Sequence, residues 1–176
     1  PNGFAIHVDV YEQMVCTGKK GAQMKKLMRK LEKTQKESEL KKIALQIRKL
    51  ILAQSLPTAI KKEIAAAYKS LGSPSVAVRS SAQLEDTDTE RFAGKYDSIL
   101  NVTSIKGIEK AIRSCYASVF SDRAVIHRTQ KGYDHVGMRM AVMVQEFVNV
   151  STCVSGIAVS QDPDSKLDAA MCITAS

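Results

Sequence analysis

Residues 76–82 read Val76-Ala77-Val78-Arg79-Ser80-Ser81-Ala82, three apolar residues followed by a cation and two hydroxyls. The apolar run suits a short buried strand ending on Arg79, where the chain opens into a polar stretch from Ser80 to Lys95. Ligands are often held at such a junction. A guanidinium there offers a planar fork of donors that suits phosphate oxygens, and it stays charged at any physiological pH. The alternative is an ion pair between Arg79 and Glu85, Asp86 or Asp88, and spacing alone does not separate the two.

Upstream of this run the pattern is helical. Gly3 to Val8 reads as a short extended piece, followed by a helix over Asp9 to Val15 that Asp9 is able to cap, with Gly18 and Gly21 interrupting. From there to Gln54 the spacing predicts two helices with a break near Thr34 to Ser38. Leu56 to Leu71 gives a further helix, with Pro57 suited to its first turn and Gly72 as its stop.

Downstream the strands begin. Tyr96 to Val102 is strand-like, and Ile105, Ile108, Ile112, Tyr116 and Val119 make Ser104 to Lys131 mainly helical, ending at Gly132. Met140 to Val148, Val154 to Ser160 and Leu167 to Ile173 then read as a sheet. The expected fold is α/β or α+β, with a helical part over 1–72 and a strand-rich part over 73–176, the second carrying the site.

Composition narrows the classes of function. A chain of 176 residues with 44% hydrophobic content can bury one core. It has no run long enough for a membrane span and no signal-peptide pattern at PNGFAIHVDV, so a soluble cytoplasmic protein without a membrane partner is expected. Cys16, Cys115, Cys153 and Cys172 form no CxxC pair, and His7, His127 and His135 share no ligand spacing. The cysteines read as small buried hydrophobes with free thiols. The net charge is +8, and twelve Lys or Arg lie between Lys19 and Lys49 against three Glu. These cations alternate with leucines and isoleucines at helical spacing and include no aromatics to stack bases. They read as a solvated helix face and not as a nucleic-acid surface.

Two further stretches carry possible chemistry. In Arg91-Phe92-Ala93-Gly94-Lys95-Tyr96-Asp97-Ser98, Gly94 would let backbone amides approach an anion and Ser98 would add a hydroxyl, although an ordinary hairpin turn explains the same residues. Gln145-Glu146 interrupt an apolar run. A glutamine offers a donor and an acceptor together, as a purine edge requires, while an edge strand with one wet face is the plainer reading. Met138, Met140 and Met143 read as packing residues.

Taken together, Pro1-Asn2-Gly3-Phe4-Ala5, VAVRSSA at 76–82 with Glu85-Asp86, FAG at 92–94, Leu100-Asn101-Val102, Ser121-Asp122-Arg123-Ala124, Gly132-Tyr133-Asp134-His135 and Val144-Gln145 closely resemble the amino-terminal ATP-grasp-type domain of the phosphoenolpyruvate synthase (pyruvate, water dikinase) family. The resemblance implies that Arg79 contacts ATP phosphates, that Gly94 and Ser98 lie in the loop folding over them, and that Gln145 sits at the adenine end. It implies an enzyme fragment whose parent converts ATP, pyruvate and water to AMP, phosphoenolpyruvate and phosphate through a phosphohistidine in another domain. Pyruvate is then met by other domains of the parent. No catalytic residue is assigned here, and none of the three histidines matches the phosphorylated one.

The family's glycine-rich segment with its ATP-contacting lysine is expected before Pro1, and its acidic Mg²⁺ ligands are expected after Ser176. ATP and Mg²⁺ are therefore the implied cofactors, with no metal ligand in this chain, and the isolated chain is expected to be inactive. The local sequence departs from the family's pattern with Lys95 where glutamine is common and Ser98 where threonine is common. Related dikinases and phosphotransferases acting on pyruvate with phosphate, on a rifampicin-like drug or on a glucan share the domain. A catalytically silent ATP-grasp-like binding module is the reading from a different class.

Overall fold

The computed structural model describes residues 1–82, 86–87, 90–91, 97–149, 155–159 and 172–175. Strand β1 (Gly3–Ile6) leads into helices α1 (Val8–Cys16), α2 (Gly18–Glu32), α3 (Glu37–Leu52) and α4 (Thr58–Leu71). Then come β2 (Val76–Ala82), the short strands β3 (Asp86–Thr87) and β4 (Glu90–Arg91), and β5 (Ser98–Val102). Helices α5 (Ile105–Ser118) and α6 (Asp122–Lys131) precede β6 (Met140–Glu146), β7 (Gly156–Val159) and β8 (Cys172–Ala175). A helical first part followed by a mixed arrangement with a sheet is the expected class, and it is consistent with a partial ATP-grasp-like domain.

The central sheet has the order β1-β6-β2-β5, and every neighbouring pair is antiparallel. Its core face carries Ile6, Val76, Val78, Val102, Met140, Val142 and Val144, all buried with Ile108, Ile112 and Tyr116 of α5. Strand alternation does the rest, because a residue one step along points to the other side. β3 pairs with β4 and β7 with β8 as separate two-stranded ribbons.

Helix ends follow local chemistry. Ser104 and Ser121 accept from the amides of Gly107 and Ala124, while Gly72 and Gly132 end their helices in the left-handed conformation. Ser121 also splits the predicted helix 104–131 into α5 and α6. The break between α2 and α3, residues 33–36, overlaps the expected stretch and comes slightly earlier. The helix start assigned to Asp9 belongs to His7, whose Nδ1 accepts from the Asp9 amide, so Asp9 stands inside the first turn, two residues past the cap. Gly21 does not interrupt a helix. It is buried inside α2, where a Cβ would come within 2.6 Å of the Cys16 carbonyl carbon, so it marks the close approach of α1 and α2.

Candidate functional site

The sequence ends the strand at Arg79, but β2 continues to Ala82, so Arg79 sits mid-strand. The continuation has a cause in pairing: Arg79, Ser80, Ser81 and Ala82 oppose Met143, Val142, Ala141 and Met140 of β6, and this ladder holds their backbone groups. Alternation puts Ala77, Arg79 and Ser81 on the face opposite the core, and the Arg79 side chain is exposed there.

Ser98 opens β5 directly opposite Arg79. The register that brings them together depends on a bulge: Val76 faces Val102 while Val78 faces Ile99, so β5 carries one more residue than β2 over this interval. Asn101 absorbs it with a φ of 54°, a left-handed conformation that asparagine tolerates better than most residues. The entry to β5 is clamped as well. Asp97 donates its amide to Ser118 Oγ at 3.3 Å, and the Cys115 thiol donates to the Asp97 carbonyl at 3.5 Å. Burial pushes the Cys115 thiol up to about 12, which keeps it a protonated donor.

Gln145 lies on the same face, opposite Ala77 on one side and Gly3 on the other. β6 is an interior strand of the sheet, so the edge-strand reading is wrong and the wet face remains. Its neighbour Glu146 turns away from this face. Its carboxylate accepts from the Asn2 amide at 3.0 Å, and its own amide donates to the Asn2 carbonyl. Met143, read from sequence as packing, is 39% exposed and stands beside Arg79, whereas Met138 and Met140 are buried. The missed signal was parity, because Met143 shares the odd register of Ala141 and Gln145. Gly94 lies outside the described residues, as do Glu85, Asp88 and Lys95.

The exposed face therefore gathers Arg79, Ser98 and Gln145, with Met143 between the arginine and Ala5. Cavities of about 790, 380 and 370 Å³ lie elsewhere, along α2, between α2 and residues 129–135, and between β1 and α4. None of the three is lined by Arg79, Ser98 or Gln145.

The family model described as "Pyruvate phosphate dikinase, AMP/ATP-binding domain" matches residues 1–176. This chain belongs to that family. Among curated relatives, the rifampicin phosphotransferase of Bacillus cereus is 37% identical over 93% of the chain and 18% of its own length. The phosphoenolpyruvate synthases of Escherichia coli and Helicobacter pylori are 33% and 34% identical over 99% of the chain, each over 22% of its own length. The chain thus spans about a fifth of these relatives.

Within this dikinase domain, the motif Gly132-Tyr133-Asp134-His135 does structural work. Arg128, fully buried, donates from Nε to His135 Nδ1 at 3.2 Å and from an η nitrogen to the Val119 carbonyl at 2.6 Å. Because an arginine nitrogen only donates, His135 carries its proton on Nε2, 3.1 Å from Thr129 Oγ1, which itself donates to the Val125 carbonyl. Burial and the neighbouring Arg128 charge lower the His135 pKa to about 4. Asp134 accepts from the amides of Val136 and Gly137, both at 2.7 Å. A hydrogen bond with Glu32 of α2 lowers the Asp134 carboxyl further and raises that of Glu32.

The donors on this face, exposed Arg79 and Ser98 and half-buried Gln145, fit a nucleotide by their chemistry: a guanidinium and a hydroxyl for phosphate, a carboxamide for a base edge. For a metal the fit is poor among the described residues, since no group of three His, Cys, Asp or Glu side chains gathers. No described helix is long and apolar enough to cross a membrane.

Proposed function

We propose that the face carrying Arg79, Ser98 and Gln145 forms half of an ATP site, with Gly94 in the adjoining loop over the phosphates. The cross-strand pair of Arg79 and Ser98 on the exposed face of an AMP/ATP-binding family domain carries this reading. Phosphoryl transfer asks a protein chiefly to position phosphate and neutralise its charge. Arg79 supplies the forked cation, Ser98 a hydroxyl donor, and Gln145 a paired donor and acceptor toward adenine. Mg²⁺ would further neutralise phosphate charge, from ligands outside these residues. The 176 residues alone bind ATP weakly in this account.

The parent reaction we favour is conversion of ATP, pyruvate and water to AMP, phosphoenolpyruvate and phosphate by a cytoplasmic enzyme. Alignment of phosphoenolpyruvate synthases over 99% of the chain supports it. A second reading, another phosphoryl acceptor, draws on the 37% identity to a rifampicin phosphotransferase. Phosphorus NMR of the full-length protein with ATP and Mg²⁺, with and without pyruvate, separates them. Pyruvate-dependent AMP and phosphoenolpyruvate support the first reading. AMP without phosphoenolpyruvate moves the reaction to another acceptor, and no AMP at all favours a silent binding module.

A further inference from the structure

Helix α2 carries an unusual charge pattern. Its buried face is Gly21, Met24, Met28 and Leu31. Ala22, Lys25, Lys26, Arg29, Lys30 and Lys33 follow at helical steps of three and four, so five cations share one face. With Leu27 they line the 790 Å³ recess, whose walls are Ala22, Leu27 and the apolar stems of the long side chains.

This face is electrostatically unrelieved. Lys25 and Arg29, Lys26 and Lys30, and Arg29 and Lys33 are like-charged pairs four residues apart, an arrangement that destabilises a helix. Lys19 and Lys20 crowd the positive end of the helix dipole, where α2 has no acidic residue and no side-chain cap. Arg29 and Lys30 in the last turn and Lys33 at the C-cap sit at the favourable end. None of the five cations forms an ion pair among the described residues. Helix α3, with four cations and two glutamates, differs: Glu37 pairs with Lys41 at 2.5 Å, and Arg48 reaches Asp122 at 3.0 Å.

We infer that the 22–33 face of α2 docks an acidic amphipathic helix of a partner protein. The stripe spans about 16 Å, eleven residue steps at the rise of an α-helix. A helix with carboxylates at matching spacing, laid along the recess, would relieve every like-charged pair and cover the apolar stems. Nucleic acid fits less well because the sequence from Glu12 to Ala67 has no aromatic to stack on a base. A membrane surface also fits less well, since Met24, Met28 and Leu31 are already buried in the core and unable to insert.

The test uses the full-length protein and a fluorescein-labelled 18-residue helical peptide with glutamates at steps of three and four and leucines along one edge. Anisotropy is measured at 0.15 M salt. The expected result is saturable binding, at least fivefold weaker for a scrambled peptide of the same composition. Binding should weaken at least tenfold in a Lys26→Glu/Lys30→Glu variant, whose folding is checked by its own thermal unfolding. ATP binding, measured in the same samples, stays unchanged. No binding, equal affinity for the scrambled peptide, or no loss in the folded double variant overturns the proposal. Tighter binding of a 16-base-pair DNA duplex or of phosphatidylserine vesicles than of the peptide also overturns it.

Discussion

Arg79 of β2 and Ser98 of β5 face each other directly across the strand pair, on the side of the sheet away from α5. Because that side is exposed, Arg79 contributes little to packing and is available to an anion. In the full-length protein, Arg79→Ala is expected to weaken ATP binding at least tenfold, the equivalent of about 1.5–3 kcal/mol for hydrogen bonds to a charged group. The melting temperature should stay within about 2 °C, since exposed substitutions rarely exceed ~0.5 kcal/mol. Arg79→Lys should recover only part of the affinity, having the charge without the fork. Calorimetry and thermal unfolding on the same samples check all three.

Asn101 is the residue that makes this pairing possible. A β-branched side chain in its left-handed conformation is strained, so Asn101→Val should cost about 1–3 kcal/mol in urea unfolding, and Asn101→Gly should be close to neutral. Loss of the bulge shifts β5 by one residue and turns Ser98 toward the core face, so ATP affinity should fall in the valine variant alone.

His135 predicts a pH dependence. Its folded pKa of about 4 lies below the ordinary 6.5, so between these values the unfolded chain binds more protons than the folded one. Stability is therefore unaffected above about pH 6.5, falls as the pH drops, and levels off below about 4. The loss totals roughly 3 kcal/mol at about 1.4 kcal/mol per unit. Urea unfolding from pH 7.5 to 4.5 should show this slope in the wild type, and a His135→Gln variant should flatten it. At pH 7.5 His135→Ala should cost about 2–4 kcal/mol, because buried Arg128 loses its acceptor.

Gly3 tests the edge of the sheet. A Cβ at this position would run into the Val144 carbonyl oxygen and meet Gln145 Cγ at 3.1 Å. Gly3→Ala should cost about 1–3 kcal/mol through displacement of β1 and should loosen Gln145, visible as faster amide exchange along Phe4 to Ile6.

The ends of α4 and the buried face of α2 were legible because their causes are local. Pro57 and Gly72 frame α4, and Met24, Met28 and Leu31 announce the buried face of α2 by spacing alone. Arg79, Ser98 and Gln145 were legible as residue types suited to nucleotide chemistry, and the structure brings these three to one face. The length of β2 was not legible, because Ser80 and Ser81 read as loop and are held in the ladder only by their partners in β6. Nor was the exposure of Met143, which follows from strand order and not from its own chemistry. The capping role of His7 escaped because a neighbouring aspartate is the commoner cap.

A structure of the full-length protein bound to a non-hydrolysable ATP analogue tests the central claim most directly. The Arg79 guanidinium is expected within hydrogen-bonding distance of phosphate oxygens, with Ser98 beside it and the base toward Gln145. Arg79 paired instead with Glu85, Asp86 or Asp88, with the phosphates on another surface, would contradict it.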